Sequence, residues 1–251
     1  MGIMLDVHNI EKYYGNKGNI TKALSDITFQ VNEGEFISIM GASGSGKTTL
    51  LNCISTIDNA SAGNICLDGV DITRLKDEEL AKFRRENLGF VFQDYNLLDT
   101  LTLGENISLS LSVNSVPATE VTERISNIAK KMGIAHLLQK FPWQVSGGEK
   151  QRCAFARAVV TNPKLVLADE PTGSLDSVSS QKLLEIMTDM NKNLNSTILL
   201  VTHDAFSASY TERILFLKDG RIFNEIIKGE KSRQTFYHEI LDVLSLLGGV
   251  A

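Results

Sequence analysis

Gly41-Ala42-Ser43-Gly44-Ser45-Gly46-Lys47-Thr48 fits the pattern G-x-x-x-x-G-K-[ST], a set of residue types suited to holding phosphate. The glycines let successive backbone N–H groups turn inward as an anion-binding nest, and a helix starting at the loop's end adds partial positive charge. Lys47 can then reach the β- and γ-phosphates of a nucleotide and the Thr48 hydroxyl can ligate Mg²⁺, with Thr49 next in line. A second group, Asp169-Glu170, ends the apolar run Leu165-Val166-Leu167-Ala168. At the end of a parallel strand beside a phosphate loop, Asp169 is placed for a further Mg²⁺ contact. Glu170 is placed to polarise a water for attack on the γ-phosphate.

Particular strands and helices must hold these side chains. Phe36 to Met40 reads as a short strand entering the loop, and Leu50, Leu51, Ile54 and Ile57 recur at helical spacing after it. Residues 3–7 and 27–31 read as antiparallel strands, with Lys12-Tyr13-Tyr14-Gly15 between them. A strand over 63–67 and an Asp68-Gly69 turn resume that lobe. A charged helix over 77–87 precedes a strand, Leu88 to Phe92, that ends on Gln93. From about 95 to 160 no strand pattern occurs, and Val121, Ile125, Ile128 and Met132 share one face of a helical insertion. Leu165–Ala168 and Ile198–Val201 are continuously apolar, as strands buried on both faces should be, with a helix over 180–191 between them. A hairpin through Asp219-Gly220 follows, then an amphipathic helix marked by Phe236, Ile240, Leu244 and Leu247.

The 251 residues suffice for one large α/β domain, and the net charge of −5 argues against a nucleic-acid-binding face. Cys53, Cys66 and Cys153 are scattered, the pattern of reduced, buried thiols and not of a disulfide framework or zinc site. No apolar run approaches the ~18 residues of a membrane span, and no secretory leader opens the chain. Asp6 breaks the lipidation pattern that Gly2 begins. Any membrane contact is expected through a partner.

Several other stretches admit two readings each. Tyr14 is either a platform on which a base stacks or an ordinary turn tyrosine. Ser146-Gly147-Gly148-Glu149 is either a plain capping box at a helix start or, through its free N–H groups, a second phosphate site. Gly148, in the first turn of that helix, is expected to accept a bulky side chain without loss of fold. His203 closes a buried strand, where a lone histidine is usually structural, and Ser174-Leu175-Asp176 follows Glu170-Pro171-Thr172-Gly173.

In order and spacing, these motifs resemble the nucleotide-binding subunit of ABC transporters from about residue 3 to 225. The resemblance implies a P-loop NTPase of the ABC fold, α/β in class: a mainly parallel core sheet, an antiparallel β subdomain and an inserted α-helical subdomain at about 95–160. The ATPase domain then spans 1–228, with 229–251 an amphipathic helical extension. Tyr14 resembles the adenine-stacking aromatic, Gly41 to Thr48 the Walker A loop, and Gln93 the Q-loop glutamine that serves both the metal and the hydrolytic step. Ser146, Gly147, Gly148 and Glu149 resemble the signature motif, with Val145 and Glu149 in place of its usual Leu and Gln. Asp169 and Glu170 resemble the Walker B aspartate and catalytic glutamate, Ser174-Leu175-Asp176 the D-loop, and His203 the switch histidine. The implied cofactors are ATP and Mg²⁺. The implied assembly is a head-to-tail homodimer with each ATP between one chain's loop and the other's signature helix, on the cytoplasmic face of a membrane.

Within the family, residues 40–46, 92–102 and 168–177 are similar to the branch serving macrolide exporters, lipoprotein extractors and cell-division proteins. Residues 93–102 and the tail from Arg233 to Gly249 are most similar to Bce-type systems. That similarity implies a permease with a large extracellular domain, resistance to bacitracin-like peptides, and a sensor histidine kinase as a further partner. The coupling surface is expected on the helical insertion and Tyr95-Asn96-Leu97-Leu98. The alternatives are a transmembrane signalling module of the cell-division type, or a lipoprotein or macrolide export ATPase. A soluble member acting on ribosomes or DNA would carry two cassettes or a long coiled coil, which this chain lacks.

Overall fold

Along the central strands apolar side chains alternate between two faces, and this alternation builds the layers. The computed structural model describes residues 2–15 and 19–247. The chain runs β1 (Ile3–Tyr14), β2 (Thr21–Asn32), β3 (Phe36–Met40), α1 (Lys47–Ile54), β4 (Ala62–Leu67), β5 (Val70–Asp71), α2 (Asp77–Asn87) and β6 (Leu88–Val91). It continues through α3 (Leu103–Val113), α4 (Ala118–Lys131) and α5 (Gly147–Val159) to β7 (Leu165–Asp169), α6 (Ser177–Leu194) and β8 (Thr197–Thr202). The last elements are α7 (Ala205–Ala208), β9 (Arg213–Lys218), β10 (Arg221–Ile227) and α8 (Arg233–Leu247).

The larger sheet has the order β10-β9-β3-β8-β7-β6, parallel throughout except for β10 at its edge. The smaller, β2-β1-β4-β5, is antiparallel. Ile37, Ile39, Leu167, Leu199 and Val201 point into a core shared with the antiparallel sheet and α1. Their neighbours Phe36, Val166, Ala168, Ile198 and Leu200 point the other way, into a core shared with α3, α4, α5 and α6. Both faces are covered, so these strands are apolar without a break. A third cluster seats Phe236, Ile240 and Val243 of α8 on Met40, Ile214 and Phe216. The expected parallel core, antiparallel lobe and helical insertion are all present.

Three local expectations are corrected, and a fourth falls outside the described residues. The first strand runs to Tyr14, so Lys12, Tyr13 and Tyr14 belong to its end and not to a turn; its pairing with β2 survives three register shifts after Val7. The helix after the phosphate loop stops at Ile54, and Ile57 is exposed. Thr56 turns left-handed at φ 59°, and the Ile57 and Asp58 N–H groups both donate to the Asn52 carbonyl. The helix expected over 180–191 begins at Ser177, because the Asp176 carboxylate caps it by accepting from the Val178 and Ser179 N–H groups. The final glycines of the tail, 248–249, lie outside the described residues.

Arg213 joins the two sheets. Its Nε donates to Glu35 at 2.6 Å and its Nη1 to Glu225 at 3.1 Å, while Nη2 reaches the Gln30 carbonyl of β2. Arg213→Met should destabilise the protein by about 3–5 kcal/mol, because it leaves the largely buried Glu35 without its charge partner. Urea unfolding checks this, and adding Glu35→Gln should recover part of the loss.

Candidate functional site

In the parallel sheet every strand that carries a candidate group presents it at its C-terminal end, where the crevices of such sheets open. β3 delivers the phosphate loop, β6 leads to Gln93, β7 ends on Asp169 with Glu170 next, and β8 leads to His203. The loop's shape depends on Gly46, at φ 105°, where a Cβ would lie 2.8 Å from the Ala23 carbonyl oxygen. Gly41 is equally constrained, a Cβ there falling 2.3 Å from the Leu217 carbonyl oxygen. Gly46 offers no side-chain cap, so the first N–H groups of α1 are left for an anion. Ser43, Gly44 and Thr48 are exposed, Thr49 is half-buried, and Ser45 is buried with its hydroxyl unpartnered.

Lys47 is only 7% exposed and spans the loop, its Nζ donating to the carbonyls of Gly41 at 2.8 Å and Ala42 at 2.9 Å. Burial pushes its pKa below the ordinary value, against the pull of Glu170 and Asp169. Burial, reinforced by Glu170, pushes Asp169 above its ordinary value, against Lys47 and a Thr48 hydrogen bond. Thr48, Gln93 and Asp169, the three residues expected at a metal, line one polar cavity of about 360 Å³ together with Glu170 and Asp94. The described residues contain no cluster of three or more His, Cys, Asp or Glu. A donor set of one carboxylate, one hydroxyl and one amide oxygen, completed by phosphate and water, suits Mg²⁺, which dehydrates reluctantly.

Glu170 has φ 45°, a left-handed conformation uncommon outside glycine, and its N–H donates to the Val201 carbonyl at 2.8 Å. So held, its carboxylate oxygen Oε2 lies 2.8 Å from His203 Nδ1. Gln93, Glu170 and His203 also share a larger cavity of about 760 Å³ with Gly173, Leu175 and Tyr237 of α8.

Ser146 and Glu149 form the capping box: the Ser146 N–H donates to Glu149 Oε2 at 2.8 Å and the Glu149 N–H to Ser146 Oγ at 3.4 Å. That hydrogen bond holds the Glu149 carboxyl below its ordinary pKa. None of Ser146, Gly147, Gly148 or Glu149 lines the cavity with Asp169. The expectation for Gly148 is corrected, since a Cβ there would lie 2.6 Å from Ser179 Oγ and 2.8 Å from Ser179 Cβ. Gly147 would meet only the hydroxyl end of Tyr95, at 2.8 Å. The carboxylate of Asp176 is taken up in its cap. Tyr14 lines neither cavity with Glu170 and lies beside α1, its hydroxyl bonded to Asp58 at 2.7 Å.

Two residues without an expected role tie the site together. Gln151, fully buried on α5, donates to the carbonyls of Phe92 at 2.9 Å and Pro171 at 2.7 Å. It thereby fixes the segment before Gln93 to the turn after Glu170. Arg157 holds the carbonyls of Asn96 at 2.6 Å and Tyr95 at 3.1 Å. The available signal was a glutamine sharing a helical face with Gly148, Ala154 and Phe155, where a polar side chain must find buried partners.

Raised in the fold, Asp169 costs stability wherever it ionises. Below the unfolded carboxyl value of 3.8 both states are protonated and it contributes nothing. As pH rises above that the unfolded chain ionises first, so stability falls until the folded pKa is passed. Asp169→Asn should therefore unfold at higher urea than the nucleotide-free parent at pH 7, with the advantage vanishing below about pH 4. Urea titrations across that range check it.

The model of the ABC transporter family matches residues 24–173. The chain is 53% identical to the ABC transporter ATP-binding protein YxdL of Bacillus subtilis, over 100% of this chain and 97% of that one. It is 49% identical to the bacitracin export ATP-binding protein BceA of Halalkalibacterium halodurans, over 98% of each. Among solved structures it is similar to a dimeric post-hydrolysis state of the ATP-binding cassette MJ0796 bound to ADP and Pi. The TM-score is 0.82 and the identity 38%, covering 89% of this chain and 98% of that one.

Proposed function

The chain belongs to the ABC transporter family as an ATP-binding subunit, and from that premise we infer that it energises a permease conferring resistance to bacitracin-like peptides. Its reaction is the hydrolysis of ATP to ADP and phosphate. The observation that carries the reading is the meeting of Thr48, Gln93, Asp169 and Glu170 at one cavity, with His203 on Glu170.

The triphosphate lies along the loop and the N-terminus of α1, where Lys47 exchanges its loop carbonyls for β- and γ-phosphate oxygens. Thr48, Gln93 and Asp169 would hold Mg²⁺, which neutralises charge on the phosphates when bound. Glu170 takes a proton from the attacking water as its oxygen bonds the γ-phosphorus and the bond to the β,γ-bridging oxygen breaks, releasing ADP. His203 orients the Glu170 carboxylate. Ser146 to Gly148 supply phosphate contacts to the nucleotide of a second copy, and Asp176 lies beside that junction through its cap on α6. Their separation from Thr48 and Asp169 within one chain supports such a dimer, and the related cassette is itself dimeric.

No described helix is long and apolar enough to cross a membrane. The chain works at the cytoplasmic face on a permease, for which we propose a large extracellular domain and, alongside it, a sensor histidine kinase. These finer features rest on the resemblance of residues 93–102 and of the tail from Arg233 to Bce-type systems. For docking, Leu97 packs into the core and Leu98 alone of the expected apolar pair is exposed. A groove of about 490 Å³ offers more, lined by Ile57, Phe90, Phe92, Leu109 and Val113 and rimmed by Arg84 and Arg85. An amphipathic cytoplasmic helix of the permease fits such a surface.

Glu170→Gln should bind ATP yet lose about 10²–10⁴-fold in rate, the share of a general base, and should accumulate as an ATP-bound dimer on size exclusion. Normal turnover in that variant would sink the assignment. Val113→Glu, on the groove's exposed wall, should leave ATP affinity unchanged and abolish co-purification with the permease. Retained assembly would place the docking surface elsewhere.

A further inference from the structure

Two adjacent tyrosines end β1, and both are partly exposed, Tyr13 at 39% and Tyr14 at 41%. Their surroundings differ. Tyr13 bonds Glu11 and lies under Lys22, away from α1. The Tyr14 hydroxyl donates to Asp58 Oδ2 at 2.7 Å, and a second neighbour is Thr49 of α1. Lys12, only 8% exposed, donates to Asp58 Oδ1 at 2.5 Å and to the Asn59 carbonyl at 2.7 Å. The same ammonium stands 4.8 Å from the centre of the Tyr14 ring, covering one face as a cation–π contact.

Asp58 lies on the segment that leaves the C-terminal end of α1. That segment is itself pinned: the Asp58 N–H donates to the Asn52 carbonyl at 3.1 Å, and Arg84 grips the Thr56 carbonyl at 2.7 Å. Ser61 then bonds back to β1, its N–H donating to the Glu11 carbonyl at 2.8 Å. Burial works against the Asp58 carboxylate, yet the Lys12 and Tyr14 hydrogen bonds and the Lys12 charge hold it below its ordinary pKa. The carboxylate therefore remains available as a double acceptor.

We propose that Asp58, braced by Lys12, is a positioning residue that fixes the Tyr14 ring beside α1 as the platform for the nucleotide base. The proposal rests on the reading of Tyr14 as the base-stacking aromatic. The consequence is geometric. The N-terminus of α1 binds the phosphates, the segment that follows the helix holds the ring through Asp58, and α1 with its exit thus keeps base and triphosphate in fixed relation. With Lys12 on one face of the ring, the base stacks on the other, and the Lys12 charge sets no requirement for a particular hydrogen-bonding edge of the base.

The test compares affinities of the purified chain for ATP and for inorganic tripolyphosphate, which has no base, in Tyr14→Ala, Tyr14→Phe, Asp58→Ala and the Tyr14→Phe/Asp58→Ala double variant. Tyr14→Ala, which removes the ring, should weaken ATP binding about 5- to 150-fold. Tyr14→Phe keeps the ring and loses the tether, and should cost about 2- to 12-fold, as should Asp58→Ala. The double variant should match Asp58→Ala alone, because the two share one interaction. In all four, tripolyphosphate affinity should stay at the parent value, and the ATPase KM should rise without a change in kcat. If Tyr14→Ala weakens ATP but Tyr14→Phe and Asp58→Ala do not, the tether is overturned and the platform stands. An unchanged Tyr14→Ala overturns the platform and the tether with it. Equal losses for ATP and tripolyphosphate in Asp58→Ala would mean a general disturbance of α1 and would also overturn the proposal, with Tyr14→Phe deciding independently should Asp58→Ala fold poorly.

Discussion

Lys47 and Asp169 meet at the C-terminal edge of the parallel sheet, and each is pushed by burial toward its uncharged form. Their mutual attraction does not offset the loss of water, and Glu170 favours the charged lysine but the neutral aspartic acid. The nucleotide-free site is thus electrostatically incomplete in two places. On the proposed reading, phosphate oxygens beside the lysine and a divalent cation beside the aspartate would supply what each lacks. The fold tolerates the arrangement because the surrounding strands are buried on both faces and cannot shift to relieve it.

The same rigidity passes along α5. Its N-terminal turn presents Ser146 and Gly147, its middle clamps Phe92 and Pro171 through Gln151, and its last turns hold Tyr95 and Asn96 through Arg157. A displacement of the helix must carry the Gln93 segment and the Glu170 turn with it. One helix thereby links the helix start at Ser146 and Gly147, the segments that carry Gln93 and Glu170, and the loop beside the apolar groove. Work done at the phosphates has a covalent and hydrogen-bonded route to that groove.

At Ser146 to Glu149 the two readings of one sequence are compatible. The capping box is present, and it is what fixes the exposed helix start. Far from competing with phosphate contact, the cap consumes only some of the first-turn N–H groups and leaves others outward. The close packing of Gly148 on Ser179 adds a steric reason for that glycine which belongs to the single chain.

The sequence by itself determined the chemistry at 41–48 and 169–170, the parallel strands, and the helical stretch, because these rest on local periodicity and on spacing along the chain. It also determined the order in which the motifs reach the sheet. The extent of β1 was beyond it, since Asn9 at φ 49° and three register shifts interrupt the alternation that marks a strand. The end of α1 was hidden for a related reason: Ile57 keeps helical spacing while the backbone has already turned at Thr56. Only the tertiary structure decided that Gln151 and Arg157 brace the site, because their partners are backbone carbonyls some 60 positions away or in another turn, which no residue type announces. It likewise gave Tyr13 and Tyr14 different surroundings. Side by side in sequence, they point to opposite sides of one strand, and only Tyr14 faces the helix that begins at Lys47.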